Sequence, residues 1–246
     1  MKRTEERDVR SPAKLLFITA FLIPAANNLI FGWGMLLLAY FSMDHAWMST
    51  PAAVFGVIYQ ALRAAALGCT FVTLGYYAGK TSFIKALPQI LRALLCAAGA
   101  AAVSVGLYAL TVAAGWTDAS SYTPFSERFF PYVGAAALDL AVLFAIEALF
   151  TLFFALSCRL KGRENLCAFK SPLMVTAYVL TGVYTLFTMT GAIKNVLHYD
   201  GTGDVFNTCV LPFLTALVYG CVMLFAIFFF RGVLRRFFEK DAGGAR

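Results

Sequence analysis

Three ionisable side chains stand deep inside long apolar runs of this chain: Arg63, Asp139 and Glu147. On insertion scales each costs roughly 2.5–3.5 kcal/mol at the centre of a bilayer, so each needs a partner or a use. One cation between two acids suits a site for a charged or polar solute. Arg63 would bind an anionic group or serve as counter-ion to the acids. Gln60 lies three residues before Arg63 and shares its helix face. Asn27 and Asn28 follow Pro24, whose missing N–H loosens the helix around it and lets backbone groups face a polar cavity. Asn27, Asn28, Gln60, Arg63, Asp139 and Glu147 therefore form the candidate substrate-binding constellation. Two plainer uses fit the same charges: a structural ion pair between Arg63 and one acid, or a charge reserved for a separate subunit.

The elements that must position these residues are legible from hydropathy and charge. The chain has 246 residues, 61% hydrophobic and 13% charged, whereas a soluble domain carries about 25% charged residues. Apolar runs at 15–41, 52–79, 89–115, 132–157, 172–197 and 209–230 are each long enough to cross a bilayer, which takes about 20 residues. Seventeen of the twenty Lys and Arg residues fall in four segments, Lys2 to Lys14, Lys80 to Arg92, Arg159 to Lys170 and Arg231 to Arg246. The intervening loops, 42–51, 116–131 and 198–208, hold one basic residue, Arg128, against five acids, Asp44, Asp118, Glu127, Asp200 and Asp204. Trp33, Trp47 and Trp116 lie toward the same side, as interfacial anchors do. The positive-inside rule then predicts an all-α integral membrane protein, a six-transmembrane-helix bundle with N-terminus and C-terminus cytoplasmic. It consists of a basic segment 1–14, a membrane domain 15–230 and a basic amphipathic tail 231–246.

Depth can be read from the prolines. Several spans open at or near one: Pro12, Pro51, Pro88, Pro131 and Pro172. Counted from Pro51 and Pro131, Arg63 lies between Asp139 and Glu147, about 6 Å along the axis from each at 1.5 Å per residue. The two acids are about 80° apart around one helix, so one cavity can see both. They are about 12 Å apart along it, too far to share a proton. Thr181, Thr185 and Thr188 form one face of the fifth span and add polar groups. Gly75 with Gly79, and Ala98, Ala102 and Gly106, form small faces that favour close helix packing. The tail begins by prolonging the sixth helix, and Leu234, Phe237 and Phe238 alternate with Arg235 and Arg236, the pattern of a short amphipathic extension along the inner membrane surface or of a docking site for a cytoplasmic partner.

Several function classes are disfavoured. The net charge of +7 comes from residues flanking spans, not from a basic groove, so no nucleic-acid partner is expected. The first apolar run is longer than the roughly 7–15 residues of a signal-peptide core and is expected to remain as a span. No nucleotide-binding, serine-hydrolase or zinc-protease motif occurs, and the spans lack histidine, the usual general base. The chain thus reads as not an enzyme, with no cofactor and no catalytic residue. Cys69, Cys96 and Cys221 lie in spans as small apolar residues, Cys158 and Cys167 in a basic loop without histidine, and Cys209 alone. His45 and His198, near Asp44 and Asp200, are too few to make a metal site. Lys194 sits near a span end, where it can snorkel to the headgroups.

The expectation is a transporter, or a membrane subunit of one, for a small polar or charged solute. The alternative is a non-catalytic scaffold, regulatory or resistance protein. With no nucleotide site in this chain, ATP-driven transport needs a separate cytoplasmic ATPase, for which the basic loop 158–171 is the docking candidate. Alanine richness and the lack of any N-x-S/T site fit a bacterial plasma membrane.

Overall fold

The computed structural model describes residues 10–41, 48–115, 125–161, 166–198 and 205–239. Asp44, His45, Trp47, Trp116, Asp118, Asp200, Asp204 and the tail beyond 239 lie outside them, as do the side chains of Glu127 and Arg128. Among the described residues there is no strand. Six helices are long and apolar enough to cross a membrane, so the chain is a multi-pass membrane protein.

Helix α1 runs from Ala13 to Phe41, with π-helical turns at Phe17–Leu22 and Asn28–Gly32 on either side of Pro24. Proline cannot donate to the carbonyl four residues back, and widened turns absorb that break. The same device recurs in α6, where a π-helical turn, Phe206–Val210, precedes Leu211–Glu239 and its Pro212. Helices α2 (Ser49–Lys80), α3 (Phe83–Ala113), α4 (Phe125–Lys161) and α5 (Pro172–Leu197) lie between. Ser82 caps α3, and Ser171 caps α5 by accepting from the Met174 N–H at 3.2 Å. Pro172 opens its helix, but Pro88 and Pro131 do not: α3 and α4 start at Phe83 and Phe125, ahead of them. At Pro88 the unpaired carbonyl falls at Ile84, an exposed residue, so the helix passes the proline at little expense.

Helix α2 touches all five others. Its sequence explains this, since Ala64, Ala66, Gly68, Gly75, Ala78 and Gly79 keep its surface low while Phe71, Val72, Leu74 and Tyr76 fill the space between neighbours. Phe71 stacks on Phe150, and Tyr76 on Phe238. The dense core, including Phe154, Leu173, Met174, Met223, Ile227 and Leu234, lies in the half of the bundle that carries the basic clusters. Val179, Val183, Leu186 and Phe187 on α5 and Phe225 and Phe229 on α6 point outward, as lipid-facing side chains do.

Three expected surfaces fall elsewhere. The small face Ala98, Ala102 and Gly106 does not pack: Ala102 and Gly106 are exposed, and a methyl group on Gly106 would meet nothing. The described part of the tail, to Glu239, prolongs α6 and packs inward, with Leu234 fully buried, Phe237 and Phe238 against the core, and the Arg10 guanidinium 4.8 Å from the Phe237 ring. Burying three apolar side chains against the bundle outweighs spreading them on an interface. The threonine face of α5 is spent on packing against α6. Thr181 and Thr185 hydroxyls donate to Ala177 O and Thr181 O at 2.9 and 2.8 Å.

Thr185 also abuts Gly220, where a Cβ would collide with its hydroxyl. Gly220→Ala is therefore expected to cost about 1–3 kcal/mol of stability, the usual penalty for overpacking. Thr185→Ala in the same chain should recover most of it. Thermal melts of the four purified variants check this, and strictly additive effects would refute the contact.

Candidate functional site

A cavity of about 390 Å³ lies among α1, α2, α3 and α4, within the range of roughly 300–1,000 Å³ typical of small-molecule sites. Asn27 and Asn28 border it from α1, Tyr59, Arg63 and Thr70 from α2, Ala97, Ala101 and Ser104 from α3, and Asp139 and Glu147 from α4. Five of the six residues singled out from the sequence thus meet at one space. Gln60 is half-buried and does not line it; Tyr59, one residue earlier and four before Arg63, does. Both spacings place a residue near the Arg63 face, and the crossing of α2 with α1 selects Tyr59.

The cavity is accessible at one end and closed at the other. Side chains of Arg63 and Asp139 are 55% and 71% exposed. Farther toward the basic end, Thr70 falls to 3% and Glu147 to 1%. Thr19 and Thr70 hydroxyls meet at 3.0 Å there, and below them Leu16, Leu74 and Ile90 are fully buried.

Arg63 Nη2 lies 3.8 Å from Asp139 Oδ2. That is a long contact between side chains that the bundle itself covers only in part. The amides are held more firmly. Asn27 Nδ2 donates to Tyr59 O at 2.8 Å, Asn28 Nδ2 to Ala100 O at 2.9 Å, and the Tyr59 hydroxyl to Asn28 Oδ1 at 3.0 Å. Asn27 and Asn28 therefore tie α1 to α2 and α3 across the cavity's edge. Two acceptors are left over: Asn27 Oδ1 and Glu147 Oε2 are buried without a hydrogen-bond partner.

The chain matches no family model, no curated protein and no solved structure. The reading of the site rests on its own geometry.

Among the described residues no three His, Cys, Asp or Glu side chains gather as metal ligands. His198 is exposed, with its ring Nδ1 2.9 Å from Lys194 O, and Lys194 is exposed too. All six cysteines are free thiols. Thr181, Thr185 and Thr188 are not at the cavity. Sequence reasoning missed the alanine wall of α3. Ala97 and Ala101 lie one residue from the small face it picked out, and spacing alone cannot say which side of α3 turns inward.

Proposed function

We propose that this protein is a transporter, or the membrane subunit of one, for a small polar or charged solute that enters the cavity at Arg63, Asp139 and Glu147. It catalyses no reaction. The observation that carries this reading is the cavity itself: a space of solute size, charged, accessible at one end and sealed at the other. A bundle built only to scaffold would have no reason to leave its ionisable groups around an open space. The basic clusters support a sealed end facing the cytoplasm, and the composition supports a bacterial plasma membrane. An energy source other than an ion gradient has to come from a separate ATPase or another membrane subunit.

The scaffold reading draws on the Arg63–Asp139 contact, and the two readings predict opposite behaviour for its variants. Arg63→Ala, Asp139→Ala and the double variant are expected to express and run as monodisperse protein like the wild type, because a single 3.8 Å contact holds little of the bundle together. Uptake of a panel of labelled polar solutes into proteoliposomes, with any co-purifying ATPase included, is expected to fall at least about tenfold, the cost of losing about 1.4 kcal/mol of binding. If the double variant instead expresses better than either single variant, with unchanged uptake, the pair is structural and the transport reading fails.

A further inference from the structure

The donors and acceptors around the cavity do not balance. Among the donor atoms, Asn27 Nδ2, Asn28 Nδ2 and the Tyr59 hydroxyl each bond to a protein oxygen. Thr19 and Thr70 hydroxyls donate back to Leu15 O and Ala66 O at 3.0 and 2.9 Å. Two acceptor atoms have no donor: Asn27 Oδ1 and Glu147 Oε2 are buried and unpartnered, and both residues line the cavity. Arg63 faces Asp139 at the other end of the cavity, so no basic side chain lies beside Glu147 in its lining. A buried carboxylate without a compensating charge is costly, as is an amide oxygen without a donor. A positive group carrying N–H bonds would supply Glu147 with both a donor and a compensating charge.

We infer that the cavity takes a small organic cation with N–H donors, a primary or secondary ammonium on an apolar body, with Glu147 as its counter-ion. This rests on the solute-cavity reading and narrows it. The walls suit the apolar part, because α3 presents Ala97, Ala100, Ala101 and Val105, and Leu140 and Leu143 face them from α4. A bare hard cation fits less well, since calcium takes six to eight oxygens and magnesium a full octahedron. Arg63 is the group that would favour an anion instead. It stands at the other end of the cavity with Asp139 3.8 Å away, and that opposite charge offsets its field in the sealed half.

Two thiol reagents of similar size and opposite charge read the sign of the cavity directly. Full-length Ala101→Cys protein is purified in mild detergent and treated with (2-aminoethyl) methanethiosulfonate or (2-sulfonatoethyl) methanethiosulfonate. Peptide mass spectrometry follows the adduct at position 101, with the native cysteines retained and rates normalised to a free thiol. The ammonium reagent is expected to react at least about tenfold faster, as charge focusing in a cleft predicts. Phenethylammonium should slow it, and Glu147→Gln, which keeps the shape and removes the charge, should abolish most of the preference. Equal or faster labelling by the sulfonate, or a preference that survives Glu147→Gln, overturns the cation inference and leaves the solute cavity standing. If neither reagent reaches position 101 while the denatured protein labels fully, the solute-cavity reading falls and the cation inference with it.

Discussion

Glu147→Leu is expected to give a protein more stable than the wild type by about 1–3 kcal/mol, the cost of one buried polar group left without a partner. The same change should make the cavity indifferent to the charge of whatever enters. Glu147 is 1% exposed and its Oε2 has no hydrogen bond. Thr151, one turn farther along α4, is fully buried with an unpartnered hydroxyl, so the helix supplies no relief from that side. Leucine fills nearly the same volume and suits an environment that includes Leu143 and Phe150. Stability retained against function is the usual relation at a site kept for use. Thermal melting in detergent measures the first effect and the paired thiol reagents the second. A lower melting temperature would show that the folded bundle needs this carboxylate. Loss of a co-purifying membrane subunit would show that Glu147 is held for a partner chain.

Valine at both Gly75 and Gly79 is expected to abolish recovery of folded protein. The two glycines lie where α2 crosses α4 and α5. A Cβ at Gly79 would stand 2.7 Å from Phe154 Cε1 and 3.1 Å from Leu166 Cδ1, and one at Gly75 would stand 2.9 Å from Leu173 Cδ1 and 3.1 Å from Phe150 Cε1. Phe154 and Leu173 are fully buried and Phe150 nearly so, so none of them can swing aside. Inserted carbon in a packed core costs about 1–3 kcal/mol per site, and valine adds more than a single methyl. Two adjacent insertions therefore approach the whole stability of an ordinary domain, about 5–15 kcal/mol. Gly182→Ala is the control. A Cβ there meets nothing, and the change should stay within about 1 kcal/mol of the wild type. Fluorescence-detected size-exclusion of the three proteins decides it; a monodisperse double-valine variant would mean that the helices do not approach this closely.

The six spans were legible because each is a long apolar run, and hydropathy registers length and composition without needing tertiary contacts. The meeting of Arg63 with Asp139 was legible for a similar reason. Two helices crossing the same slab in the same direction bring equal depths together, and twelve residues from Pro51 and eight from Pro131 differ by little more than a turn. The stagger was misjudged in detail, since α4 begins at Phe125 and not at its proline. Rotation about each helix axis was not legible. The threonines of α5, the alanines of α3 and the choice between Gln60 and Tyr59 all turn on which face meets which neighbour, and a mostly apolar helix leaves that nearly unmarked. Closure at the basic end was hidden as well, because Phe150, Phe154 and Leu234 read as ordinary lipid-facing letters until α2 presses against them.

The two amide latches have a consequence for how this chain can change over time. Asn27 and Asn28 grip backbone oxygens at positions 59 and 100, and every amino acid supplies that oxygen. Substitution at Ala100 leaves the α1–α3 latch intact so long as the side chain fits. Correlated substitution, which betrays most contacts between helices, will be silent between positions 28 and 100. In a set of diverged copies Asn28 should stand fixed while position 100 drifts, whereas position 59 stays tied to Asn28 through its hydroxyl.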